Sequence, residues 1–154
     1  PWLERALDDG LGGVGLFAAA LADAVGESGE VLAVEAEGPA VASARRNVAS
    51  RPWVELRPGR VERVLKPLVR QGIRADLVVL DPPRTGAGRA VTAQVAALGP
   101  RAVAYVACDP AALARDTAYL REAGYGLRSL RAFDAFPMTH HVECVAVFEP
   151  VAGV

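Results

Sequence analysis

The sequence is poor in the residues that staple a fold, hold metal or grip a polyanion. It has two cysteines, Cys108 and Cys144, and two histidines, His140 and His141. Two thiols are too few for a disulfide framework and fit a reducing, cytoplasmic compartment. The Cys and His spacings match no zinc pattern, so no metal is expected. Seventeen basic residues against eighteen acidic ones leave a net charge of −1, and this balance lacks the basic footprint of a nucleic-acid clamp. No apolar run approaches the roughly 20 residues of a membrane span, and the N-terminus lacks the basic-then-apolar order of a signal segment. The chain opens on "PWLERALDD" with no initiator methionine, which reads as a processed product or a fragment of something longer.

What is present is enough to build a core. Hydrophobic residues make up 52% and charged ones 23%, a globular composition and not that of a disordered tail. At 154 residues the chain is expected to form one domain, residues 1–154. Strand-like and helix-like segments take turns along it. "ERALD" runs into a glycine turn, and "GLFAAALADAV" reads as a helix of small residues. "GEVLAVEAE", "WVELRPG", "ADLVVLDPPR" and "RAVAYVACDP" read as strands, the last two as continuous apolar runs of the kind buried on both faces. "GPAVASARRNVAS", "VERVLKPLVRQG" and "AALARDTAYLREAG" read as helices, and two extended segments, "YGLRSLRAFDAF" and "HVECVAVFEP", close the chain. This rhythm predicts an α/β fold, a doubly wound, Rossmann-like and mostly parallel sheet with a terminal antiparallel hairpin.

In such a sheet, ligands bind beyond the carboxyl ends of the strands. The first turn there, "GLGGVG" at Gly10–Gly15, has the Gly-x-Gly-x-x-Gly spacing of a dinucleotide site, and Glu35 follows about 20 positions on. Glycines let a backbone approach a ligand, and an ionised carboxyl accepts hydrogen bonds from both ribose hydroxyls. Together they point to an adenosine ligand without separating NAD from S-adenosylmethionine; as a bare alternative, Glu35 is a solvated acid at a strand end. The stretch "LDPPRTGAG", Leu80–Gly88, tilts the choice. Two prolines after a buried strand remove two backbone donors and force a rigid exit, holding Asp81 at the sheet edge. A nicotinamide dehydrogenase has no need of this element, whereas methyltransferases acting on planar bases or amides often carry an acid or amide followed by two prolines.

With "YVACDPAALARD" and "FPMTHHVEC" added, the chain resembles the RNA uracil-C5 methyltransferases, which make 5-methyluridine in tRNA and rRNA. "DDGLGGVGLF" fits the same family's first motif through Gly13, Val14, Gly15, Leu16 and Phe17, so the resemblance runs in order along nearly the whole chain. It implies the class I methyltransferase fold and S-adenosyl-L-methionine as cofactor, held by Leu11, Gly13, Gly15, Leu16, Glu35 and Asp81. It implies Cys108 as the nucleophile that adds to carbon 6 of uracil and Glu143 as the acceptor of the carbon-5 proton. A cysteine at a strand end, just before a helix, is well placed to form a thiolate. Cys144 reads as a buried small hydrophobe, because neighbouring strand residues point to opposite faces. On the substrate side the resemblance suggests Asp81 as acceptor of a base N–H, with Arg84 on phosphate or bracing its loop, and Asp109 beside the thiol. His140 and His141 read as RNA contacts or turn caps, and Arg115 with Asp116 as a helix-surface or loop-bracing pair.

Four departures stand out. Leu11 occupies the family's usual aromatic position, and Asp109 replaces an asparagine, so it is expected to be hydrogen-bonded or turned away from the thiol. Arg60 follows the third strand, where an acid is common, and the family's RNA-binding modules and Phe-x-Gln segment have no counterpart here. The RNA partner is therefore expected to be held by modules absent from this chain. Other classes stay open at this stage: an NAD-binding oxidoreductase domain, a nucleotide amino-methyltransferase that needs no cysteine, and a fold-retaining fragment that binds cofactor without turnover.

Overall fold

The computed structural model describes the backbone of residues 5–8, and residues 15–134, 138 and 142–151 in full. Its centre is a sheet of seven strands in the order β3-β2-β1-β4-β5-β7-β6. The strands are β1 (Arg5–Asp8), β2 (Glu30–Glu35), β3 (Val54–Pro58), β4 (Leu77–Leu80), β5 (Ala102–Ala107), β6 (Tyr125–Phe133) and β7 (Glu143–Pro150). The first five pair in parallel, and β7 runs antiparallel to both β5 and β6. The terminal hairpin is present as expected, with one difference: β7 inserts between β5 and β6, so the last strand of the chain is not the last of the sheet.

Among the described residues five helices connect the strands: α1 (Leu16–Val25), α2 (Gly38–Asn47), α3 (Val61–Arg70), α4 (Gly88–Ala97) and α5 (Pro110–Glu122). One core cluster joins Leu65 and Leu68 of α3, Val91 and Val95 of α4 and Leu113 and Leu120 of α5 to Val78, Leu80, Val103, Tyr105, Ala146 and Phe148 of the sheet. A smaller one joins Ala18, Ala22 and Val25 of α1 to Val31 and Ala33 of β2, with Trp53 packed alongside and its indole N–H donating to the Ala22 carbonyl at 3.0 Å. The small residues of α1 thus serve close packing. Gly15 shows the same logic at the helix start: its φ is +81°, and a Cβ there would lie 2.9 Å from Cα of Ala44.

Two expectations are corrected. Residues 88–97 form a helix that the coarse strand–helix reading left unassigned, because Ala87 at its N-cap position offers no capping side chain. The β5 run is not buried on both faces. Its burial alternates, with Val103, Tyr105 and Ala107 inside and Ala102, Ala104 and Val106 only partly covered. α1 and α2 lie against β1–β3 instead of over this strand. In β4, by contrast, Val78, Val79 and Leu80 are buried in succession, as a central strand requires.

Candidate functional site

The strand order reverses between β1 and β4, and the carboxyl edge there is where a doubly wound sheet opens a crevice. Glu35 ends β2, Asp81 follows β4 and Cys108 follows β5. β7 runs the other way, so its first residue, Glu143, reaches the same edge.

The β5–β7 register brings Cys108 and Glu143 to the same end of two neighbouring strands. Ala107 pairs with Cys144, so continuing the antiparallel register by one residue sets Cys108 opposite Glu143. Directly opposed residues place their Cβ atoms about 5 Å apart. Ala107 and Cys144 point into the core and are 4% and 5% exposed. Cys108 and Glu143 take the opposite face and are half-buried. Asp109 turns its carboxylate to the helix: it caps α5, accepting the Ala112 N–H at 2.8 Å. The expectation that Asp109 is hydrogen-bonded therefore holds, and its bond runs to the helix, not to the substrate side.

The acids converge. Asp81 is partly buried, and burial, the nearby Glu143 and then Glu35 push its carboxyl above the ordinary value. Groups from β2, β4 and β7 therefore share one field, a setting that favours a cationic or hydrogen-donating ligand. Glu35 is 3% exposed. Its Oε1 accepts the Glu37 N–H at 2.8 Å. Its Oε2 is buried and has no hydrogen-bond partner among the described residues. An ionised carboxyl only accepts, so this oxygen calls for a donor beyond the described residues, and a ribose hydroxyl fits it. The alternative of a solvated acid at a strand end is overturned by that burial.

A cavity of about 410 Å³ opens beside Glu35, between the ends of β2, β3 and β4. Val34 and Glu37 form one side, Gly59–Glu62 another, and Pro82, Pro83, Gly86 and Ala87 a third. Arg60 is the exposed N-cap residue of α3 on its rim. A larger cavity, about 560 Å³, lies at the amino ends of β2 and β3 among Glu30, Trp53 and Arg74, and holds none of the candidate residues. Leu16 is exposed at the start of α1, and Arg84 is exposed after the two prolines. Leu11, Gly13, His140 and His141 lie outside the described residues. Among the described residues no group of three or more His, Cys, Asp or Glu is arranged for a metal, and no helix is long and apolar enough to cross a membrane.

Sequence reasoning gave Asp116 too small a place. It is fully buried, so the helix-surface alternative fails for it, and the bracing one describes it. Its partner Tyr105, equally buried, was not singled out, because an aromatic inside an apolar strand reads as core. The signal that could have found the pair is the uncapped start of α4, which needs an acceptor from elsewhere.

Comparisons with known proteins bear on the family and the fold. The family model described as tRNA (Uracil-5-)-methyltransferase matches residues 55–150. A protein of Streptomyces avermitilis named as an uncharacterized RNA methyltransferase is 58% identical over 141 residues, covering 91% of this chain and 32% of its own. A similarly named protein of Bifidobacterium longum is 48% identical over 138 residues, covering 88% of this chain and 32% of its own. The chain thus spans about a third of the length of these curated relatives. Among solved structures, a tRNA (uracil-54, C5)-methyltransferase of Pyrococcus abyssi, in complex with S-adenosyl-L-homocysteine, superposes with a TM-score of 0.77 at 31% identity, over 94% of this chain and 34% of that one. The fibrillarin pre-rRNA processing protein of Methanococcus jannaschii shares the fold, with a TM-score of 0.72 at 16% identity over 96% of this chain and 67% of that one. These likenesses give the nicotinamide reading of the glycine turn no support.

Proposed function

The chain belongs to the tRNA (uracil-5-)-methyltransferase family, and from that premise we propose that it carries the catalytic part of an S-adenosyl-L-methionine-dependent enzyme that methylates carbon 5 of uridine in tRNA or rRNA. The observation that carries this reading is the register that sets Cys108 opposite Glu143, on the sheet edge shared by Glu35 and Asp81. A nucleophile and a base held face to face are what addition to a pyrimidine and later proton removal require.

The cofactor fits the residues present. The Oε2 of Glu35, which has no partner among the described residues, would take a ribose hydroxyl, and the cavity beside it would hold the nucleoside. Gly15 and Leu16, at the start of α1, and Leu11 and Gly13 before them, would line the approach. When bound, S-adenosyl-L-methionine supplies an electrophilic methyl group.

This chain's own residues prepare and release the base. The Cys108 thiolate adds to carbon 6 of uracil; the new S–C bond pushes the ring electrons toward carbon 5 and the carbon-4 oxygen, making carbon 5 a nucleophile. After carbon 5 is methylated, the Glu143 carboxylate takes its proton. The electron pair left behind re-forms the double bond between carbons 5 and 6 as the S–C bond breaks, and the thiolate is restored. Asp81 would accept a uracil N–H, with Arg84 on the substrate side. The target base must leave its stack to reach Cys108.

The test is a calorimetric titration of this chain with S-adenosyl-L-homocysteine, with NADH in parallel, followed by incubation with 5-fluorouridine RNA and S-adenosyl-L-methionine. Fluorine cannot leave as a proton does, so the Cys108 adduct should persist and be visible by mass. Binding of S-adenosyl-L-homocysteine alone, with an adduct that Cys108→Ala abolishes, is the expected result. NADH binding overturns the cofactor, and an adduct that survives Cys108→Ala overturns the nucleophile.

A further inference from the structure

The loop after β4 is short of backbone donors. Pro82 and Pro83 have no N–H to donate, and a local backbone bond runs from the Gly86 N–H to the Pro83 carbonyl at 2.7 Å. The helix that follows, α4, has Ala87 at its N-cap position and no side-chain cap of its own. The missing acceptor comes from α5. Oδ2 of Asp116 accepts the Ala87 N–H at 2.7 Å, the Gly88 N–H at 3.1 Å and the Tyr105 hydroxyl at 2.7 Å. Oδ1 accepts from Arg115 Nε at 3.1 Å and Nη2 at 2.8 Å, and that same Nη2 donates to the Thr85 carbonyl at 2.7 Å. The fit leaves no room: Gly86 has φ +77°, and a Cβ there would lie 2.5 Å from both Asp116 Oδ2 and Arg115 Nη2.

A brace of this kind could serve stability alone, but its position argues for more. The residues it pins, Thr85, Gly86 and Ala87, are one side of the 410 Å³ cavity beside Glu35. Its anchor sits on α5, the helix that opens directly after Cys108 and Asp109. We propose that Asp116, with Tyr105 and Arg115, is a positioning residue that fixes the wall of the cofactor cavity formed by residues 85–87. This rests on the cofactor reading above for the ligand, but not for the brace itself.

The experiment uses the whole chain with Asp116→Asn and Tyr105→Phe. Asparagine keeps one acceptor oxygen and turns an NH2 either toward the loop amides or toward the Arg115 guanidinium; both of these only donate, so one or the other loses its partner. At a temperature well below each variant's melting midpoint, amide hydrogen exchange at Ala87 and Gly88 should quicken about tenfold or more in Asp116→Asn. The dissociation constant for S-adenosyl-L-homocysteine should rise by about tenfold with it. Tyr105→Phe leaves the carboxylate in place and should speed exchange at Ala87 with an affinity loss of about threefold. It reads the same network should Asp116→Asn fail to fold. A stable Asp116→Asn that binds S-adenosyl-L-homocysteine within twofold of the parent overturns the positioning role. If the parent chain binds no S-adenosyl-L-homocysteine, the cofactor reading fails. Exchange at Ala87 and Gly88 then judges the brace by itself, and unchanged rates there overturn it.

Discussion

Ala107 and Cys144 face each other across the antiparallel β5–β7 pair, both buried in the core. The two thiols of the chain are therefore unequal. Cys108, one step past Ala107, is half-buried on the other face, while Cys144 is 5% exposed. Limited iodoacetamide treatment of the native chain should carboxamidomethylate Cys108 first, and Cys144 only on unfolding. Peptide mass spectrometry reads this directly, and equal labelling of both under native conditions would contradict the placement.

Asp109 offers a separation of two roles. Asp109→Asn keeps an N-cap acceptor and removes a negative charge beside the thiol, so Cys108 alkylation at neutral pH should speed up with the melting temperature nearly unchanged. Asp109→Ala loses the Ala112 N–H partner and should destabilise the chain by about 1 kcal/mol. Denaturant unfolding and alkylation rates, measured on both variants, check the pair. A similar stability loss in both would rule out the capping role.

Gly15 is held by geometry. With φ at +81° and Ala44 Cα 2.9 Å from where a Cβ would sit, Gly15→Ala must both strain the backbone and push α1 from α2. The expected loss is about 2 kcal/mol or more in urea unfolding.

Asp81 makes a pH prediction. Burial and two neighbouring acids raise its folded-state value above the ordinary 3.8, so the folded chain holds this proton more tightly than the unfolded one. Its contribution is therefore favourable at acid pH, where both states are protonated at this group. That contribution is lost as pH rises from near 3.8 through the raised folded value. Asp81→Asn should flatten the fall in stability over that window, read from urea midpoints across mildly acid pH. The ionised group should also favour a positively charged sulfonium ligand over the neutral thioether product as pH rises. A wild-type profile identical to that of Asp81→Asn would remove the basis for both.

Much of the edge was legible from the chain. Glu35, Asp81 and Cys108 end or follow strands that the apolar runs mark plainly, and a parallel sheet brings such ends to one side. Less legible was α4, whose capping is tertiary. Also hidden was the half-open face of β5, since "AVAYVA" looks the same whether one face is covered or both. The first glycines of the turn, with Leu11 and Gly13, lie outside the described residues.

By itself, then, the sequence determined the alternation of elements and which residues reach the carboxyl edge, because strand and helix periods are local and each connection fixes chain direction. Only the tertiary structure decided that β7 lies between β5 and β6, which is what brings Glu143 across from Cys108. It also decided that Asp116, 29 residues from Ala87, supplies the cap that α4 lacks. Strand order depends on which apolar surfaces cover one another, and a buried N–H takes whatever acceptor the fold sets within reach. Neither is written in the neighbouring residues.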